Sequence, residues 1–300
     1  MANKVKLVEA ESDPKIMKAF QNEMDEKTAA LAIIASYQPA KVSPTKALWA
    51  EIGLTEELNV EEAIDKLKEK DIQNLILCIN SFGGGVSSSF KVAYAIRKNF
   101  DKITVFVPHI AASGGTLIAL TGNEIVMGDM SSLTPIDVQM ERGGKMYSVN
   151  AMIRSFAALN DFFEKVAEED APYPWKAMAD KLDPVEFQEW IDTSTLMELY
   201  AKRILEMNGS FKENADLIIS RLTTGYPVHS YTITVEEAKE IFGKYIHHMK
   251  EDRYKNLGEA SKLWIKKYLD VESSNHIIRF ILPKEHGMME NEEAYNQCRD

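Results

Sequence analysis

Two apolar runs in this chain each end in a glycine-bearing turn, and each turn opens onto a helical pattern. Residues 75–79 (Leu-Ile-Leu-Cys-Ile) run into Asn80-Ser81-Phe82-Gly83-Gly84-Gly85 and then into a helix over 87–100 that buries Val92, Ala95 and Ile96. Residues 103–107 lead through Pro108-His109-Ile110-Ala111-Ala112-Ser113-Gly114-Gly115 into a second small-residue helix over 114–121, and 124–127 reads as a third strand. A short run that is apolar at every position suits a strand covered on both faces. Strands alternating with helices require right-handed crossovers and a mostly parallel sheet. The expectation is therefore an α/β fold with its glycine turns at the carboxyl ends of strands, where open α/β sheets bind ligands.

The first turn has two readings from its residues alone. Gly83-Gly84-Gly85 is either a positive-φ turn without function or a loop whose bare backbone approaches a reacting group. It is not a phosphate loop, since no Gly-Lys-Ser/Thr follows. The second turn sets the Ser113 hydroxyl at a helix start, where free backbone N–H groups favour an oxyanion.

The flanks are organised around these turns. A helix is expected over 14–26, a strand over 31–37, a loop over 38–57 containing Pro39 and Pro44, and a helix capped by Asn59 with Glu62 three residues on. Residues 131–139 form a loop, and Gly143-Gly144 turns a hairpin. A helix capped by Asn150 reaches 167, and Asp183-Pro184 begins another that ends at Gly209. Thr234 and Glu237 form a capping box before a helix closed by Gly243. A helix around Leu263, Trp264 and Tyr268, a strand over 276–282 and a polar tail from Lys284 complete the chain. The expected division is an N-terminal extension (1–74), a core (75–243) and a C-terminal helix, strand and tail (244–300).

The 35 basic and 46 acidic residues give a net charge of −11, which argues against nucleic acid or an anionic membrane as the main partner. Hydrophobic content is 45% and charged content 27%, as in a soluble globular chain. Neither a signal-peptide core nor a transmembrane run occurs in these 300 residues, so a cytoplasmic location is expected. Cys78 and Cys298 suggest neither a disulfide nor a metal site, and no cofactor is expected.

In order along the chain, these motifs resemble the Clp-peptidase/crotonase superfamily and, within it, the signal peptide peptidase A-like serine peptidases, most closely the serine dehydrogenase proteinase branch. Asn80-Ser81-Phe82-Gly83-Gly84 resembles the superfamily's Asn-Ser-Pro-Gly-Gly loop. Ala112-Ser113-Gly114-Gly115 is similar to its nucleophile turn, and Ser131-Ser132-Leu133-Thr134-Pro135-Ile136-Asp137 to the branch's Ser-x-Leu-Gly-Pro-Ile-Asp segment. A segment over 225–238, with Tyr226-Pro227, His229 and Glu237-Ala238, resembles the branch's closing segment. The resemblance implies a spiral of β-β-α units with peripheral helices, Ser113 as nucleophile, and the N–H groups of Gly84 and Gly114 as oxyanion donors. It further implies a peptide or protein substrate and a homo-oligomer.

Two departures bear on this reading: Phe82 stands where the family has proline, and Thr134 where it has glycine. The histidine base of the Clp peptidases falls at Pro135 here, so the base must come from elsewhere. Signal peptide peptidase A-like enzymes use a lysine, which must be neutral to accept the serine proton. Lys181, ahead of a long helix, resembles theirs in position, with Lys176 and Lys165 as competitors. His229 reads either as a site residue or as a packed histidine, His109 as a core or interface residue, and Asp137 as a loop anchor. The leading expectation is a serine peptidase acting through an acyl-enzyme. The alternatives are a crotonase-like acyl-coenzyme A enzyme, for which Lys91 is the nearest basic residue to the turn, and an inactive oligomeric scaffold.

Overall fold

The computed structural model of the protein describes residues 7–38, 48–181, 183–269, 271, 273 and 275–284. Its centre is a seven-stranded sheet made of β1 (Val8–Ala10), β2 (Thr28–Ile34), β3 (Asn74–Asn80), β4 (Lys102–Val107), β5 (Glu124–Met127), β6 (Ile246–His248) and β7 (Ile277–Ile281), in the order β1-β7-β2-β3-β4-β5-β6. Neighbours run parallel except β7 and β2. The mostly parallel α/β architecture expected from the strand and helix alternation is present. Strands from the N-terminal, central and C-terminal parts of the chain share this one sheet.

The continuous apolar runs follow from coverage on both faces. Leu31, Leu77, Val105 and Ile125 stand in one register row across β2–β5, and they point into the larger core with helices α2 (Leu54–Lys68), α3 (Val86–Asn99) and α4 (Gly114–Ala119). The alternate residues Ala32, Cys78, Phe106 and Val126 face the other way. There α1 (Pro14–Gln21) and α10 (Lys255–Leu269) cover them with Ile16, Phe20 and Trp264. This period of two is the strand's own geometry. Burial pushes the Cys78 thiol pKa up, leaving it a packing group.

Several boundaries differ from the sequence reading. Helix α2 begins at Leu54, not at Asn59, because Gly53 is its N-cap and donates its N–H to Glu56 Oε2 at 2.8 Å. Asn59 lies inside the helix. Helix α5 (Val149–Phe163) is capped by Ser148, while Asn150 donates from Nδ2 to Thr223 O. Helices α6 (Tyr173–Ala179), α7 (Pro184–Asn208), α8 (Ala215–Thr224) and α9 (Val235–Phe242) follow, and Thr234 Oγ1 accepts from Glu237 N at 3.4 Å. The prolines of 39–47, Cys298 and the tail from 285 lie outside the described residues. Among the described residues no helix is long and apolar enough to cross a membrane.

Candidate active site

The two glycine turns leave the carboxyl ends of adjacent strands β3 and β4 and are laced together. Ser81 N donates to Ile110 O at 3.0 Å, and Ala112 N donates to Ser81 O at 2.9 Å. A Cβ on Gly83, whose φ is +91°, would lie 2.7 Å from Ala112 O and 2.8 Å from Gly114 N. Gly84 sits against the backbone of Ile52 with no room for a side chain. Ile52 clasps the loop from outside, donating to Gly83 O at 2.9 Å and accepting from Gly85 N at 2.9 Å. Glycine is thus required both by the positive φ of Gly83 and by the close approach of this loop to the neighbouring turn and to Ile52.

Ser113 occupies a backbone conformation that non-glycine residues rarely adopt, φ +50° and ψ −117°, as the N-cap of α4. Such strain is stored where surrounding contacts over-determine it. Here Ser113 N donates to Thr134 Oγ1 at 2.9 Å, Gly115 N closes onto Ala112 O at 2.7 Å, and Leu117 N donates to Ser113 O at 3.1 Å. Thr134, which stands where the resembling segment has glycine, therefore fastens the Ser113 turn. Thr116 Oγ1 lies 2.7 Å from Ala111 O and 2.9 Å from Thr134 O, fixing the same loop from below. Thr134→Val keeps the shape but leaves Ser113 N without that acceptor, so labelling of Ser113 by a fluorophosphonate should slow about tenfold.

The N–H groups of Gly84 and Gly114 find no partner among the described residues, and Gly84 N lies 3.4 Å from the position a Gly114 Cβ would take. Two unpaired donors so close together beside a hydroxyl can receive the charge that develops on a carbonyl oxygen.

Ser113, the glycines of the first turn, Asp137 and His229 line one cleft of about 450 Å³. Phe82, Val86, Val138, Met146 and Met197 supply its apolar wall, and Glu51 and Gln139 add polar groups. His229 Nδ1 lies 2.8 Å from Asp137 Oδ1, with side chains 18% and 5% exposed. The other Asp137 oxygen accepts from Ser148 Oγ at 2.7 Å. A carboxylate only accepts, so the His229 proton sits on Nδ1, and Nε2 is left as a base.

The segment carrying His229 is bound to the one carrying Asp137 through paired bonds between Leu133 and Ile233, at 3.1 and 2.9 Å. Tyr226 braces it further, donating to Glu237 Oε1 at 2.7 Å and stacking on Tyr231 at 4.3 Å between centroids. Burial, and then the bond to Glu237, push the Tyr226 phenol up to about 12, so it remains a donor. Arg154 donates to Pro227 O at 3.0 Å.

The structure does not bring the candidate lysines into this cleft. Lys181 is exposed and lines a separate cavity with Lys145, Tyr147, Met152, Ser155 and Trp190. Lys176 points to Glu169 O at 3.4 Å, and Lys165 is exposed. His109 is also exposed, which rules out the core half of its core-or-interface reading. Asp137 does more than anchor its loop, since it partners a histidine 92 residues away. The signal for that pair lay in the two resembling segments, each of which contributes one member. Among the described residues no group of histidine, cysteine, aspartate and glutamate side chains is arranged to hold a metal ion.

A hydroxyl on a strained strand-to-helix turn, with paired amide donors beside it, is the arrangement of serine hydrolases. Residues 50–158 match the family described as ClpP-like SDH-type serine proteinase, in keeping with the resemblance of the motifs. An uncharacterized protein of Methanocaldococcus jannaschii is 30% identical over 184 residues, 58% of this chain and 53% of that protein. A second from the same organism is 28% identical over 174 residues, covering 55% and 49%. The chain spans about half the length of the curated relatives it matches. Among solved structures it is similar to ClpP1 from Listeria monocytogenes at 15% identity and a TM-score of 0.43, over 79% of this chain and 98% of that one.

Proposed function

We propose that the protein is a serine peptidase in which Ser113 is the nucleophile, His229 the general base, Asp137 its orienting carboxylate, and the Gly84 and Gly114 N–H groups the oxyanion donors. The observation that carries this reading is the His229–Asp137 pair, at 2.8 Å, opening on the same cleft as Ser113. Ser113 Oγ attacks the scissile carbonyl carbon while His229 Nε2 takes its proton. The carbonyl oxygen becomes an oxyanion between the two amides, and each donor is worth about 3 kcal/mol to such a transition state. Collapse expels the amine, which receives the proton from His229 and leaves an ester on Ser113. Water, deprotonated by the same histidine, hydrolyses the ester and restores the hydroxyl.

The apolar wall formed by Phe82, Val138, Met146 and Met197 supports a peptide with an apolar side chain beside the scissile bond. A cytoplasmic setting and self-association belong to the same reading. Exposed Tyr173, Met178 and Leu199 offer apolar surface for a second copy.

Covalent labelling tests the nucleophile. A fluorophosphonate probe should attach to Ser113 in the wild type and to nothing in Ser113→Ala, and equal labelling of the two would end the proposal. The Ser-Lys alternative separates from it cleanly: Lys181→Ala should keep hydrolysis of fluorogenic peptides within about twofold of wild type, as at an ordinary surface position. Loss of activity there would return the base to lysine.

A further inference from the structure

Beneath the oxyanion loop lies a second chain of polar side chains that the mechanism above does not use. Ser81 Oγ is 2.8 Å from His276 Nε2 and also accepts from Gly83 N at 3.1 Å. His276 Nδ1 faces Glu56 Oε1 at 3.6 Å, and the same oxygen accepts from His276 N at 3.0 Å. Ser81 and His276 are fully buried and Glu56 is 2% exposed, so no substrate reaches them. A polar chain placed in a core costs stability unless it is satisfied, yet His276 Nδ1 has no hydrogen-bond partner. Packing alone does not account for these residue types.

Their placement shows what they hold. Glu56 Oε2 accepts from Gly53 N at 2.8 Å, and Gly53 follows Ile52, whose backbone grips the loop at Gly83 O and Gly85 N. Glu56 Oε1 leads through His276 to Ser81 and so to Gly83 N. Both supports of the Gly83-Gly84-Gly85 loop, the Ile52 backbone outside and the hydroxyl beneath, therefore end on one carboxylate. Burial would raise the Glu56 pKa, but bonds from His276 and Gly53 outweigh burial and hold it below the usual carboxylate range. The resulting negative charge favours the proton on Nδ1, leaving Nε2 to accept the Ser81 O–H. With its proton committed there, Ser81 presents lone pairs to Gly83 N.

We infer that Ser81, His276 and Glu56 are positioning residues: a buried relay that fixes the oxyanion loop so that the Gly84 N–H faces the reacting carbonyl. This rests on the peptidase reading of the same cleft. Because it acts on a donor used in the transition state, its loss should appear in kcat and not in KM.

The test compares Ser81→Ala and His276→Gln with wild type in two measurements. Turnover of a fluorogenic peptide, normalised to sites labelled by fluorophosphonate, should fall about ten- to a hundredfold with KM unchanged, as expected when a donor is misplaced by a fraction of an ångström. Hydrogen exchange of peptides spanning 80–86 should quicken about tenfold, while the sheet strands stay protected. Turnover per labelled site equal to wild type, or a rise in KM with kcat intact, would overturn the relay, whatever the stability of the variants. If Ser113→Ala retains full activity, it is the peptidase reading that fails. The exchange measurement then decides the relay alone, and unchanged protection over 80–86 overturns it.

Discussion

Replacing His229 by alanine is expected to lower kcat about a millionfold, and Asp137→Asn about ten-thousandfold, with Ser113 still present and the fold intact. The first figure corresponds to about 8 kcal/mol of transition-state stabilisation. The two differ because alanine removes the base, whereas asparagine leaves the ring in place but reverses what it is told to do. An amide nitrogen facing Nδ1 donates where the carboxylate accepted, so Nδ1 loses its proton and Nε2 carries it, pointing a donor at Ser113. Ser148 Oγ, 2.7 Å from the second carboxylate oxygen, keeps the side chain in place in both cases. Steady-state hydrolysis of a fluorogenic peptide, with circular dichroism to check folding, measures both effects. His229→Ala with more than about a tenth of wild-type kcat would place the base elsewhere.

The largest effect on stability should come from Glu11→Gln. Glu11 sits just after β1 with its side chain wholly buried, and it accepts from Trp264 Nε1 at 2.7 Å, Tyr268 OH at 2.9 Å and Lys267 Nζ at 2.5 Å. Its Oε1 also accepts the Ser12 and Asp13 N–H groups, at 2.9 and 2.8 Å. Every group around the carboxylate donates, so an amide nitrogen in place of either oxygen meets donors only. The expected cost is about 3 kcal/mol, or about 6 °C in Tm. Burial would raise the Glu11 pKa, but the bonds from Lys267, Asp13 N–H and Tyr268 outweigh it and hold it below 4.5. A carboxyl more acidic in the folded than in the unfolded state stabilises fully above the ordinary carboxylate value, and that contribution is lost as pH falls through the depressed one. Wild-type Tm should therefore drop as pH falls below the ordinary carboxylate range, and Glu11→Gln should show a shallower drop there. Equal slopes would mean that Glu56 and other carboxylates carry the acid sensitivity.

The parts of the candidate site legible in the sequence are those whose chemistry is local. Ser113 and the two glycine turns could be found because a tight turn at a strand's end needs particular residues within a few positions of one another. The proposed base is less legible: His229 stands among the sequence candidates and Asp137 only as a loop anchor, and the two, far apart in sequence, are brought together where Leu133 and Ile233 pair. Position by position, Pro135 closed off the expected histidine. On the proposed reading, the carboxylate two residues further on and a histidine entering from another segment supply such a pair instead. Lys181 resembled a known base in its place along the chain, but its helix start faces a different cavity. Helix α2 starts earlier than its sequence signals for a related reason. Asn59 and Glu62 look like a cap because side-chain caps are legible, whereas Gly53 caps through its backbone and Glu56. His276 carried no local signal, since its partners lie in α2 and in the loop after β3.

The position of β7 has a bearing on how the molecule is made. This late strand is inserted between β1 and β2, parallel to one and antiparallel to the other, and His276 immediately precedes it. During synthesis β1 stays apart from β2, which already pairs with β3, until residue 281 has left the ribosome. The Ser113 turn can form early from neighbouring segments, but the support under Gly83 arrives with β7. Joining of β1 to β2 and completion of the support under the Gly83 loop are then one event, and on the proposed reading Ser113 would be synthesised well before the loop that serves it is fixed.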